Sequence, residues 1–153
     1  MRFKTWSYRF AEEILNSNLE IKKEIEEIVR NVNPKEFSRK KLNKEFSDQF
    51  LKNGWKKEAR VVEELESKID FIKNKVGVEV AFVHSSFVGI DILKFQVMSF
   101  TDKIDVGIYI VMTYALAKKH NATDSICFEK VKRYLPAFKS AIQVPIFVIG
   151  LEE

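Results

Sequence analysis

The most constraining stretch of this chain is an apolar β-patterned run that carries a carboxylate. Residues 76–83, Val76-Gly77-Val78-Glu79-Val80-Ala81-Phe82-Val83, are apolar except for Glu79, and such a run reads as a buried strand. A second short run, Lys68-Ile69-Asp70-Phe71-Ile72, precedes it across the turn-like segment Lys73-Asn74-Lys75. Together they predict a β-hairpin. A carboxylate buried in such a strand is costly unless a cation or hydrogen-bond donors compensate it. Folding the hairpin brings Asp70 near Glu79, and two acidic side chains at one spot form a site for a hard divalent cation such as Mg²⁺. A structural reading stays open beside this one, in which both acids only serve the fold.

The rest of the chain alternates helical and strand patterns. Ser7 to Asn16 is predicted helical, with Phe10, Ile14 and Leu15 on one side. Ile21, Ile25, Ile28 and Val29 then recur at helical spacing behind Asn18, a candidate cap, and Asn33-Pro34 ends that element. Ser38 to Asn53 gives a third helix, with Leu42, Phe46, Phe50 and Leu51 inward, lysines outward and Asn53-Gly54 as its stop. Residues 55–66 are ambiguous between a buried edge and a helical turn. Ser85-Ser86 opens a helix to about Phe100 that is apolar nearly all round, so cover is expected from the sheet and from a second subunit. Residues 104–112 read as a central strand, 118–125 as a polar connection, 127–134 as a helix and 144–150 as a closing strand. Strands separated by helices predict a mixed α/β sheet with helices on both faces, in one domain over residues 1–153.

Charge and cysteine content narrow the setting. The net charge is +4, and residues 35–60 alone hold nine basic and four acidic side chains, a surplus of five. Such a stripe suits phosphate contact, although on charge alone a lysine-rich helix face turned to solvent is the favoured reading. Cys127 is the sole cysteine, so no intrachain disulfide or cysteine-built zinc site is available, which fits a reducing cytoplasm. Charges at Arg2, Lys4, Arg9, Glu12 and Glu13 interrupt any leader-like run. The apolar runs are too short for a membrane span.

The run from Asp70 to Val80, followed by Asp91-Ile92-Leu93-Lys94-Phe95-Gln96 and Lys103-Ile104-Asp105-Val106-Gly107, resembles the PD-(D/E)XK nuclease superfamily. More narrowly, with Phe10-Ala11-Glu12-Glu13-Ile14-Leu15-Asn16 and Val144-Pro145-Ile146, it is similar to BglII- and BstYI-type restriction endonucleases. The resemblance covers most of the chain and keeps the nine-residue step between the two acids. It implies a restriction-endonuclease-like core, a central mixed β-sheet flanked by helices. It also implies a homodimer that uses Mg²⁺ to hydrolyse double-stranded DNA at a short palindrome containing GATC, leaving 5′-phosphate and 3′-hydroxyl ends. By position, Asp70 and Glu79 match the metal-binding acids, the carbonyl of Val80 a further ligand, and Glu58 an additional active-site residue.

One departure bears on activity. The third motif position, lysine or glutamine in relatives, is Ala81, which has no group to stabilise charge on a phosphate. His84, Lys94 and Gln96 are candidates for that role, with Lys94 and Gln96 ahead because they follow on the next helix. The alternative is a catalytically impaired DNA-binding relative, and beyond it an α/β interaction domain with structural acids. For DNA, Lys40, Lys41, Lys44, Lys56 and Lys57 are expected on phosphates. His84 and Ser85 in one loop, and Lys119 and Asn121 in another, are expected near bases. The chain ends sooner than longer relatives, so a site of about four base pairs is expected.

Overall fold

The computed structural model describes residues 1–33 and 37–153. The hairpin forms as its sequence predicts. Strand β3 (Lys68–Lys73) pairs antiparallel with β4 (Val76–Val80), and Asn74 and Lys75 between them have φ of 48° and 59°. Two left-handed residues match the turn to the right-handed twist of the strands. Strand β5 (Val106–Met112) lies parallel to β4, and β6 (Ile146–Glu152) lies parallel to β5. Strand β1 (Arg2–Tyr8) closes one edge antiparallel to β6, and β2 (Lys56–Arg60) closes the other antiparallel to β3, so the six-stranded order is β1-β6-β5-β4-β3-β2.

Every residue of β5 is buried, as an inner strand covered on both faces requires. On one face lie α1 (Ala11–Asn16), α2 (Leu19–Asn31), α3 (Arg39–Lys52) and α5 (Tyr114–Lys119), packing Leu15, Ile25, Phe46 and Leu116 against Val78, Ile108 and Ile110. On the other, α4 (Val88–Phe100) and α6 (Phe128–Ala137) pack Phe95, Met98, Val131 and Leu135 against Tyr109, Val111 and Val148. Ser38 caps α3 by accepting from the Lys41 backbone N–H at 3.2 Å, whereas Asn18 makes no side-chain cap on α2. Among the described residues no helix is long and apolar enough to cross a membrane.

Four local expectations are corrected. Leu51, expected inward on α3, is 48% exposed near the end of that helix. The predicted helix over Ser7–Asn16 begins only at Ala11. Tyr8 ends β1, and Arg9 and Phe10 form a turn with φ of 52° and 59° that leaves Phe10 76% exposed rather than in the core. The ambiguous segment 55–66 supplies edge strand β2, whose exposed charges suit an unpaired edge. The polar connection is entered through a short helix, α5, which Thr113 caps and which buries Leu116 and Ala117. The expected stop at Pro34, and Lys35 and Glu36 of the basic segment, lie outside the described residues.

Helix α4 sits close on the sheet because Gly107 of β5 leaves room for Phe95. A Cβ at Gly107 would stand 2.7 Å from the Phe95 ring. Gly107→Ala is therefore expected to destabilise the fold by about 1–3 kcal/mol through overpacking, read as a lowered urea midpoint; an unchanged midpoint would show that α4 is not held by this contact.

Candidate active site

Strand β3 is regular except at Asp70. Its ladder to β4 runs from Lys73↔Val76 to Phe71↔Val78 and stops there. Its ladder to β2 pairs Lys57↔Phe71 and Ala59↔Ile69 but skips the position between, where Glu58 has a φ of 53°. Ile69 packs in the layer of α4 while Phe71 packs in the layer of α3, although residues two apart on a regular strand share a face. The strand thus changes sides at Asp70. Freed from both ladders, the Asp70 carboxylate turns to β4, and its Oδ2 accepts from the Val80 backbone N–H at 2.8 Å.

Glu79 is only 4% exposed and lies on the α4 face of β4. The parallel register sets it beside Tyr109 of β5. From α4 above, Lys94 Nζ donates to Glu79 Oε1 at 3.0 Å and to Asp91 Oδ1 at 3.3 Å, and the Tyr109 hydroxyl donates to Asp91 Oδ2 at 2.9 Å. Burial first, then the negative charges of Asp70 and Asp91, push the Glu79 carboxyl up from 4.5 to about 9, and the Lys94 ammonium opposes this only in part. Burial likewise raises Asp91 against the pull of Lys94 and Tyr109. Burial works against the Lys94 charge, but Glu79 and Asp91 outweigh it and hold that lysine above its ordinary value.

These side chains open into a cleft of about 470 Å³ whose walls come from α3 (Asn43, Ser47), β2 (Lys57, Glu58), the hairpin and α4. Among the residues expected at the site, Asp70, Glu79, Val80, Glu58, Lys57 and Lys94 line this cleft together. Gln96 does not. Its amide oxygen accepts from the backbone N–H groups of Gln143 and Val144 at 2.8 and 3.0 Å, which commits it to the loop before β6. Ala81 is buried in the sheet, its N–H bonded to the Ile110 carbonyl at 2.9 Å. Lys40, Lys41 and Lys44 stand exposed on α3, Lys44 pairing with Asp48 at 2.9 Å, and Lys56 is exposed on β2.

The two expected base-reading loops touch each other. Ser85 N–H donates to the Asp124 carbonyl at 2.9 Å, and Asp124 pairs with Arg39 at the start of α3. His84 accepts from the Ser86 N–H through Nδ1 at 3.2 Å. Asn121 is exposed with a φ of 51°, while Lys119 is drawn to Glu153. Four cleft residues lacked an assigned role in the sequence: Asn43, Ser47, Asp91 and, behind them, Tyr109. Asp91 was detectable as an acid three residues before Lys94 on one helix; the other three offered no local signal.

The cleft's free donors are oxygens. Among the described residues no group of three or more His, Cys, Asp or Glu side chains forms a ready metal cage. Two carboxylates beside an open cleft nevertheless suit Mg²⁺, which is commonly held by one or two carboxylates with water and substrate phosphate completing its shell. Three acids facing one lysine also leave the cluster short of positive charge.

The sequence profile of the family described as Restriction endonuclease BglII/BglIII matches residues 3–151. The fold is similar to that in a crystal structure of restriction endonuclease BglII complexed with a DNA 16-mer. That match has a TM-score of 0.83 and 22% identity, covering 100% of this chain and 79% of that chain. No curated protein matches the chain by sequence. A profile that spans nearly the whole chain, on a sheet of the same architecture, identifies it: the chain belongs to the BglII-type restriction endonuclease family, type II deoxyribonucleases of the PD-(D/E)XK superfamily.

Proposed function

We propose that this protein is a Mg²⁺-dependent, homodimeric, single-domain endonuclease of the cytoplasm that cuts double-stranded DNA at a short palindrome, with GATC as the candidate core. The observation that carries the reading is Lys94. The motif position that relatives fill with a donor is Ala81 here, and an ammonium from α4 stands 3.0 Å from Glu79 in its stead. A point charge with three donors on a flexible stem can serve the same space from a neighbouring element.

Asp70, Glu79 and the Val80 carbonyl would hold the ion. When bound, Mg²⁺ would supply positive charge to the scissile phosphate and a more acidic water. Lys94, with two of its donors on Glu79 and Asp91, has one left to meet a phosphate oxygen. Water oxygen adds to phosphorus and releases a proton to solvent as the bond to O3′ breaks, and the departing oxygen takes up a proton. Glu58 at the rim is oriented by its left-handed backbone, an uncommon conformation for a residue with a Cβ. Lys40, Lys41, Lys44, Lys56 and Lys57 serve phosphates, and His84, Ser85 and Asn121 face bases. Lys119 joins them only by leaving Glu153.

A palindrome presents two equivalent half-sites, which a two-fold dimer matches. Support for a second copy comes from α4, whose Leu93 is 57% exposed beside Tyr134 of α6 and Phe138 just after it. A patch of this kind marks an interaction surface. The second reading is a relative that binds DNA without cutting it, favoured by Ala81. Both readings give DNA retention, and only the first gives cut ends.

With phage DNA and Mg²⁺, discrete bands are expected. Lys94→Ala should slow single-turnover cleavage by about 10²–10³-fold, the loss of one preorganised donor, and Glu79→Ala should remove the bands. Retention without bands in the unaltered protein would establish the binder instead. Lys57→Ala should weaken binding to all duplexes alike and lower the slope of log K against log salt by about one; a sequence-selective loss would put Lys57 on a base.

The Glu79 carboxyl also predicts a pH dependence. Its folded value, about 9, lies above the ordinary 4.5, so the metal-free fold binds a proton that the unfolded chain releases. This contribution is complete below about pH 4.5 and is lost as pH rises through about 9. Without metal, the melting temperature should fall between those limits relative to Glu79→Gln, and Mg²⁺ should restore most at the alkaline end, where no proton must be displaced. Parallel curves for the two proteins would contradict a protonated Glu79.

A further inference from the structure

We propose that Asp91 and Tyr109 are positioning residues for Lys94, a buried carboxylate clamped by a tyrosine that keeps the ammonium on Glu79. The inference rests on the reading of Lys94 as the displaced motif donor. Asp91 is 6% exposed and Tyr109 is fully buried. A buried acid in an apolar helix is expensive unless both oxygens are engaged, and here they are. Oδ2 accepts from the Tyr109 hydroxyl at 2.9 Å, and Oδ1 accepts from Lys94 Nζ at 3.3 Å.

The sheet explains why these partners meet. Glu79 and Tyr109 are register partners on adjacent parallel strands, so they project side by side toward α4. On α4, Asp91 and Lys94 are three residues apart and share the facing side. The four groups therefore form one chain of contacts, from Tyr109 through Asp91 and Lys94 to Glu79. A free lysine spreads over many rotamers, and ordering its long stem costs conformational entropy. Asp91 takes one donor and fixes the approach; Tyr109 prevents the Asp91 carboxylate from rotating away. Asp91 borders the cleft with both oxygens engaged and Tyr109 lies buried behind it, so each acts through Lys94 and is a positioning residue.

A merely structural polar cluster makes different predictions, and four measurements separate the two. Tyr109→Phe keeps the ring and its edge contact with Phe95 at 6.1 Å and deletes only the hydroxyl; Asp91→Asn keeps the shape and deletes the charge. Each should slow single-turnover cleavage of phage DNA by about 10–100-fold, the usual effect of a supporting hydrogen-bond partner. Affinity for a labelled fragment of that DNA in EDTA should stay within about twofold. In the metal-free protein, the ¹⁵N-detected side-chain ammonium signal that disappears in Lys94→Ala should be resolved in the parent and broadened in Tyr109→Phe. In the Lys94→Ala background, Tyr109→Phe should add no further loss, because groups that act through one another are not additive.

If Lys94→Ala itself cleaves at the parent rate, the underlying reading of Lys94 fails. If Lys94→Ala is slow while folded Tyr109→Phe cleaves at the parent rate, or its loss adds to that of Lys94→Ala, this inference fails and the other stands. Should Asp91→Asn not fold, Tyr109→Phe decides alone.

Discussion

Three carboxylates share one wall of the sheet with a single ammonium, and this imbalance governs the site. Asp70, Glu79 and Asp91 all feel one another electrostatically, and Lys94 reaches two of them. Burying such a set apart from water is unfavourable in proportion to its uncompensated charge. The protein answers on two sides. It engages every acid with a donor, Val80 N–H for Asp70, Lys94 for Glu79, and Tyr109 with Lys94 for Asp91. It also lets Glu79 keep a proton up to about pH 9. Each tenfold in that proton's affinity is worth about 1.4 kcal/mol, so below about pH 9 an incoming cation must displace a tightly held proton to reach the Glu79 carboxylate.

Access to these carboxylates depends on the break in β3. Had the strand continued regularly, residue 70 would be bonded between two neighbours and its side chain fixed by the ladder. The skipped pairing with β2, the end of the β4 ladder and the left-handed Glu58 all fall at one level of the sheet. Irregularities of this kind at a sheet edge re-aim side chains and concentrate at functional sites. The same break separates β2 from the line of β4, so Lys57 and Glu58 stand across the cleft from Lys94.

The parts of this arrangement that are local in sequence were legible there. The hairpin, its two acids and the basic helix follow from alternation, turn residues and periodicity within a few positions. Strand β1 was hidden because its identity depends on β6, whose partners lie at the far end of the chain; alone, its second half joins smoothly to the helix that follows. Strand β2 carries charges because it is an edge, which masks the usual apolar signature. The donor proposed in place of the one missing at Ala81 shows the limit most clearly. Lys94 and Gln96 are two residues apart on α4 and so point about 200° apart at 3.6 residues per turn; only one can face Glu79. Because the helix is apolar nearly all round, its sequence does not reveal its rotation.

What fixes that rotation is packing on either flank. Phe95 drops onto the bare backbone of Gly107, and Met98 follows on the same side. Gln96 ties the opposite edge to residues 143 and 144, and Ile92 leans beside it toward α6. With those two edges taken, Asp91 and Lys94 are left over the acids. Leu93 takes no part in setting the rotation, since it remains more than half exposed beside Tyr134 and Phe138, while Ile90 borders the cleft. An apolar patch that the fold does not use marks an interaction surface. It is accounted for if the helix that presents the lysine on one side meets a second copy on another. In that arrangement, pairing two half-sites and aiming the cation depend on the same thirteen-residue element.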